Sequence, residues 1–108
     1  MALTVGVIST TGTFTTQTIE GDVLSGLQSI VGGYIQIIPG PRDDVDFVVN
    51  EEGLVEGLPL NTKASVSVGY PLLGNVAVIG AEITDDGEMT SMPGDFSLRS
   101  LVFDTPQV

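Results

Sequence analysis

The sequence predicts a single α+β domain spanning residues 1–108: a mainly antiparallel sheet of five to six strands, one helix at about residues 22–31 packed on a face, and a short C-terminal helix. Three observations carry this. Segments rich in valine, isoleucine and threonine recur along the chain, separated by clusters of glycine, proline, asparagine and aspartate, which is the punctuation of strands and turns. One stretch among them carries apolar residues at helical spacing. The chain has 108 residues, 42% of them hydrophobic, enough for one core that needs neither metal nor disulfide and too few for two.

The elements follow in order. Leu3, Val5 and Val7 alternate with Thr4, Gly6 and Ile8, the period of a strand partly buried on both faces. Ser9 to Thr13 reads as a turn and Phe14 to Ile19 as the returning strand of a hairpin. Asp22 is placed to accept backbone hydrogen bonds as an N-cap, after which Val23, Leu24, Leu27, Ile30 and Val31 form one apolar helical face. Gly32 then suits the left-handed position that ends a helix. Gly33 to Ile38 is a short apolar strand stopped by Pro39-Gly40-Pro41. Val45, Phe47 and Val49 mark the next strand, followed by turn residues Asn50 to Gly53 and a further apolar pair, Leu54-Val55, in a meander. Leu58-Pro59-Leu60-Asn61 suggests a single turn that drops both leucines into the core. Residues 62–74 read as a loop in which Val66 and Val68 alternate weakly. Asn75 to Ile83 is apolar on both faces and belongs at the centre of the sheet. Asp95 is placed to cap a last helix carrying Phe96, Leu98, Leu101 and Val102.

Composition excludes several functions. Cysteine and histidine are both absent, so thiolate and imidazole catalysis and sulfur or imidazole metal ligation are closed. No phosphate-binding P-loop occurs, and Gly32-Gly33 lacks the spacing of a dinucleotide fingerprint. Neither enzymatic activity nor a cofactor is expected. Fourteen acids against Arg42, Lys63 and Arg99 give a formal net charge of −11, which repels phosphate backbones and anionic membranes. That argues against nucleic acid and membrane as partners. It favours a protein partner with a basic surface, or serves solubility alone. No run approaches the roughly 18 apolar residues of a membrane span and the first residues lack a secretory leader, so a cytoplasmic location is expected.

Four segments carry a family resemblance: Val31-Gly32-Gly33-Tyr34-Ile35-Gln36-Ile37-Ile38, Val48-Val49-Asn50-Glu51-Glu52-Gly53-Leu54, Gly57-Leu58-Pro59-Leu60-Asn61 and Leu73-Gly74-Asn75-Val76-Ala77-Val78-Ile79-Gly80. In this order the chain resembles the domain-of-unknown-function 3846 family over about residues 18–103. It departs from the shorter members in its threonine-rich opening hairpin and in the loop from Ser65 to Pro71. The family is frequent in bacteriophages, prophages and other mobile elements, so the resemblance implies a virus-encoded accessory protein acting in the host cytoplasm. It brings no catalytic residue or cofactor with it.

Candidate binding residues are Tyr34, Asn50, Glu51, Glu52 and Asn61, which recur in that pattern and fall on connections, where function concentrates. The competing reading is structural: both asparagines cap turns through their side chains, Gly53 supplies a positive φ, and Tyr34 is a packed aromatic with its hydroxyl at the surface. Asp43-Asp44-Asp46 and Asp85-Asp86-Gly87-Glu88 bring carboxylates together without the alternating ligand set of a calcium loop, so no metal site is assigned and solvated turns are the expectation.

The leading expectation for function is a non-enzymatic bacteriophage accessory protein that binds a host protein and so alters host metabolism or a defence system. One alternative is a small-molecule binder that sequesters a nucleotide-derived signal; the other is a structural or decoration protein of the virion. A homodimer enters if the sheet face away from the helix is not closed by the C-terminal segment.

Overall fold

The computed structural model describes residues 2–84 and 87–96. Within them the order of elements is β1 (Ala2–Ile8), β2 (Phe14–Glu20), α1 (Val23–Val31), β3 (Ile35–Pro39), β4 (Val45–Asn50), α2 (Thr62–Val68), β5 (Val76–Ile83) and β6 (Met89–Thr90). The strands form one antiparallel sheet in the order β2-β1-β5-β4-β3, with β6 paired to β5. The α+β class and the mainly antiparallel sheet stand as the sequence predicts, and β5 is central, as its two apolar faces require.

The register sorts side chains by parity. Leu3 and Val5 of β1, Ile19 of β2, Val48 of β4, and Ala77 and Ile79 of β5 pack on one side against Leu27 and Val31 of α1. Asp22 caps α1 by accepting from the Leu24 and Ser25 N–H groups, and Gly32 ends it at φ +86°. Gly26 lets the helix lie close on the hairpin, since a Cβ there would sit 2.5 Å from Ile19 Cγ2. Leu24, counted in the apolar face by spacing, is half exposed at its edge.

The opposite sheet face is covered as well. Ile8, Val45, Phe47, Val49, Val76 and Val78 pack there beneath Ala64 of α2, Leu72, Met92 and Phe96. Thus the chain itself supplies the cover that the sequence left open between the C-terminal segment and a second copy. Arg42 fastens this layer: its Nε donates to Asp44 Oδ1 at 2.9 Å, its Nη2 to Asp44 Oδ2 at 2.6 Å and to Asp95 Oδ1 at 3.1 Å. Its guanidinium also lies 5.6 Å from the centre of the Phe96 ring, and that ring meets Phe14 edge-on at 6.1 Å.

Four local expectations are corrected. Residues 62–68 form a helix where a loop was expected, capped by Asn61 and ended by Gly69 at φ +87°. Leu54 and Val55 belong to no strand; residues 51–57 are consecutive turns. Leu60 is half exposed and Leu58 only partly buried, because Leu60 forms an isolated bridge with Leu73 at the surface. Gly53 does not have a positive φ; Gly57 does, at +69°. The expected C-terminal helix falls outside the described residues apart from Asp95 and Phe96, and Asp85 and Asp86 also lie outside them.

Candidate functional site

The ends of β1, α1 and β4 and the starts of β3 and β5 lie at one end of the sheet, so the connections 9–13, 32–34, 51–61 and 69–75 gather there. All five candidate residues are at this end. The structure divides them into two groups.

Asn50, the last residue of β4, is 6% exposed. Its Nδ2 donates to the Val31 carbonyl and to Glu56 Oε1, both at 3.2 Å, and its Oδ1 accepts from the Glu52 N–H at 2.7 Å. Val31 closes α1, where backbone carbonyls lack partners within the helix. One side chain therefore caps the helix and folds the turn after β4 back on itself. Asn61 is fully buried. Its Nδ2 donates to the Ile8 carbonyl at 2.8 Å and the Gly74 carbonyl at 2.9 Å, while its Oδ1 accepts from the Ala64 N–H at 3.2 Å. It joins the end of β1, the approach to β5 and the start of α2. In both asparagines the amide donors are spent on the fold, and the two side chains share no hydrogen bond.

Tyr34, Glu51 and Glu52 are exposed. The Glu51 N–H donates to the Tyr34 carbonyl at 2.8 Å, which sets the aromatic beside the first turn after β4. That turn continues through Gly53–Leu58, closed by Glu56 N–H to the Glu52 carbonyl at 2.9 Å and Leu58 N–H to the Gly53 carbonyl at 3.0 Å. Its outer residues are Leu54, 83% exposed, and Val55, 84% exposed; Tyr34 is 65% exposed. Sequence reasoning missed Leu54 and Val55, because apolar side chains beside a turn read as a strand. The available signal was their acidic setting, Glu51-Glu52-Gly53-Leu54-Val55-Glu56-Gly57, with no alternation to pair. The run of turns after β4 thus places exposed Glu51, Glu52 and Glu56 in one stretch with exposed Leu54 and Val55, next to exposed Tyr34. Carboxylates beside exposed apolar side chains offer both charge and contact area.

Of the acidic clusters, Asp44 is paired with Arg42, and among the described residues no group of acidic side chains is placed to hold a metal ion. The Arg42 hydrogen bond holds the Asp44 carboxyl below its ordinary value, and Asp44, then Asp95, raise Arg42. Asp22 is lowered too, first by the Ser25 hydroxyl and then by the Ser25 N–H. Both carboxyls have folded values below 3.8. Their stabilisation is therefore complete above 3.8 and lost as pH falls through the folded values. Asp22→Asn keeps a good cap that does not titrate. Its Tm is expected to fall less steeply than that of the parent protein through this acid range, and equal slopes would show that the ionisation of Asp22 does not contribute.

The model of one family, described as Domain of unknown function (DUF3846), matches residues 3–101. The chain belongs to this family, and the match takes in the opening hairpin that had read as a departure. No curated protein and no solved structure matches.

Proposed function

From that membership, we propose that the chain is a non-enzymatic accessory protein of a bacteriophage that binds a host protein in the host cytoplasm, with the surface around Tyr34, Glu51 and Glu52 as its contact. One observation carries the reading. Leu54 and Val55 stand more than four-fifths exposed in a run of turns closed by its own backbone bonds, in a stretch that also carries Glu51, Glu52 and Glu56. Exposed apolar groups framed by charge are the composition of protein contacts, and burying each is worth about 1.5–3 kcal/mol. The net charge of −11 selects a partner with a basic rim and speeds its approach.

The surface favours this over the small-molecule reading. A cavity of about 270 Å³ between the start of α1 and β6 is lined by Leu3, Val23, Leu24 and Met89, with Glu88 as its charged member. A carboxylate there repels a phosphate instead of neutralising it, and the cavity of about 350 Å³ beside Gly32 and Asn75 has no lysine or arginine in its lining to neutralise one. Nothing comparable favours the virion component.

Affinity purification from host cells tests the proposal. The parent protein is expected to bring down a specific partner, and Leu54→Ser with Val55→Ser to lose it at unchanged Tm, because both side chains already face solvent. Identical co-purifying proteins for both forms would contradict it.

A further inference from the structure

Beside this contact lies a sheet edge that is unpaired among the described residues. We propose that the outer edge of β3 takes up an extended peptide segment of the partner as an added strand, apolar in its middle and basic at both ends; this rests on the protein-binding reading above. Among the described residues β3 pairs only with β4. The Tyr34 carbonyl accepts from Glu51 and the Gly40 N–H donates to the Val45 carbonyl, in register with Gln36 opposite Val49 and Ile38 opposite Phe47. The even-numbered residues are therefore the hydrogen-bonded partners of β4. By the alternation of antiparallel ladders, Ile35 and Ile37 aim both N–H and C=O outward.

Free edges are ordinarily protected by charge, by proline or by a bulge. In this chain of 17 charged residues (3 basic plus 14 acidic), none falls between Gly33 and Pro41, and Pro39 limits pairing only at the far end of the strand. The other outer strand, β2, offers mainly threonine and glutamine. β3 offers isoleucines, and beside it on the α2 face lies a cavity of about 210 Å³ lined by Gln36, Ile38, Val49, Tyr70, Leu72 and Leu73. Backbone bonds with a side-chain cavity alongside are the two requirements of recognition by strand addition.

Charge decides the occupant. Five residues of strand span about 17 Å. Glu51 and Glu52 follow Asn50, the partner of Ile35 at the start of β3, while Asp46 pairs with Pro39 at its end, near Asp43. Two copies joined antiparallel through β3 would bring the glutamates of one against the aspartates of the other, and each copy carries a net charge of −11. A segment with lysine or arginine at both ends meets opposite charge at both.

The probe is a short synthetic peptide of alternating valine and threonine with paired lysines at each end, read by amide hydrogen exchange and by fluorescence anisotropy. In the free protein the Ile35 and Ile37 amides are expected to exchange fast and those of Gln36 and Ile38 slowly; the peptide should protect Ile35 and Ile37. Ile37→Pro removes an outward N–H and no ladder bond, so it should lower affinity at least about tenfold at unchanged cooperativity of unfolding. N-methylation of the peptide on the edge facing β3 should do the same with the protein untouched, and glutamates in place of the lysines should abolish binding. Failure of the peptide to bind, protection confined to other residues, or full affinity after N-methylation would overturn the proposal. So would a dimer in sedimentation with Ile35 and Ile37 already protected. A partner still captured by Ile37→Pro but lost by Leu54→Ser with Val55→Ser overturns strand addition alone; capture by both variants overturns the contact surface as well.

Discussion

Asn61→Ala is expected to lower the unfolding free energy by about 2–4 kcal/mol, since it strands buried groups as well as deleting bonds. The Ile8 and Gly74 carbonyls and the Ala64 N–H all lose their side-chain partner at a fully buried position. Alanine leaves a space facing those carbonyls and the Ala64 N–H, and an unsatisfied polar group inside a protein costs more than the bond returned when it was made. Asp at this position should be no remedy: it keeps the cap to Ala64 but replaces the two donors with acceptors facing carbonyls. Thermal and denaturant unfolding check this directly. A loss below about 0.5 kcal/mol, the ordinary effect of a surface substitution, would mean that the three strand and helix ends are not tied through this side chain.

Leu27→Asp is expected to leave no folded protein. Leu27 is fully buried between α1 and the sheet, in the cluster with Val5, Val31, Val48 and Ile79. The substitution removes a side chain whose burial is worth about 1.5–3 kcal/mol and installs a carboxylate with no cation near it. The described residues of α1 and of the strands beneath it offer no lysine or arginine; Arg42 is engaged on the opposite face and Lys63 sits on α2. Set against a typical total of about 5–15 kcal/mol, that loss is decisive. Circular dichroism and the near-ultraviolet signal of the tyrosines would report it, and a soluble variant with the parent's Tm would contradict the placement of α1.

What the sequence makes legible follows from how much local chemistry each element carries. α1 has a cap, an apolar face at helical spacing and a terminal glycine, all used in the structure. The strands β1, β4 and β5 carry their burial in their alternation. α2 is obscured because it has seven residues, three of them β-branched (Thr62, Val66 and Val68), and buries only Ala64. Its bounds were nonetheless written in Asn61 and Gly69. Leu54 and Val55 misled for the opposite reason: apolar composition predicts burial, and nothing local says that a run of turns lifts them into solvent. At the site, Asn50 and Asn61 were legible as residues of special connections, but a capping asparagine and a ligand-binding one look alike in sequence. Only the partners of their amides distinguish them.

The central claim is that recognition belongs to the exposed acidic and apolar surface while the asparagines beside it hold the frame. The affinity of the co-purified host partner for Glu51→Lys with Glu52→Lys, measured against ionic strength alongside Tm, tests it most directly. Both carboxylates are exposed, so reversing them should move stability by less than about 0.5 kcal/mol. Binding should be abolished, and binding of the parent protein should weaken as salt screens charges beyond about 8 Å near physiological ionic strength. Salt-insensitive binding that survives the double reversal would contradict the account and place the contact elsewhere on the molecule.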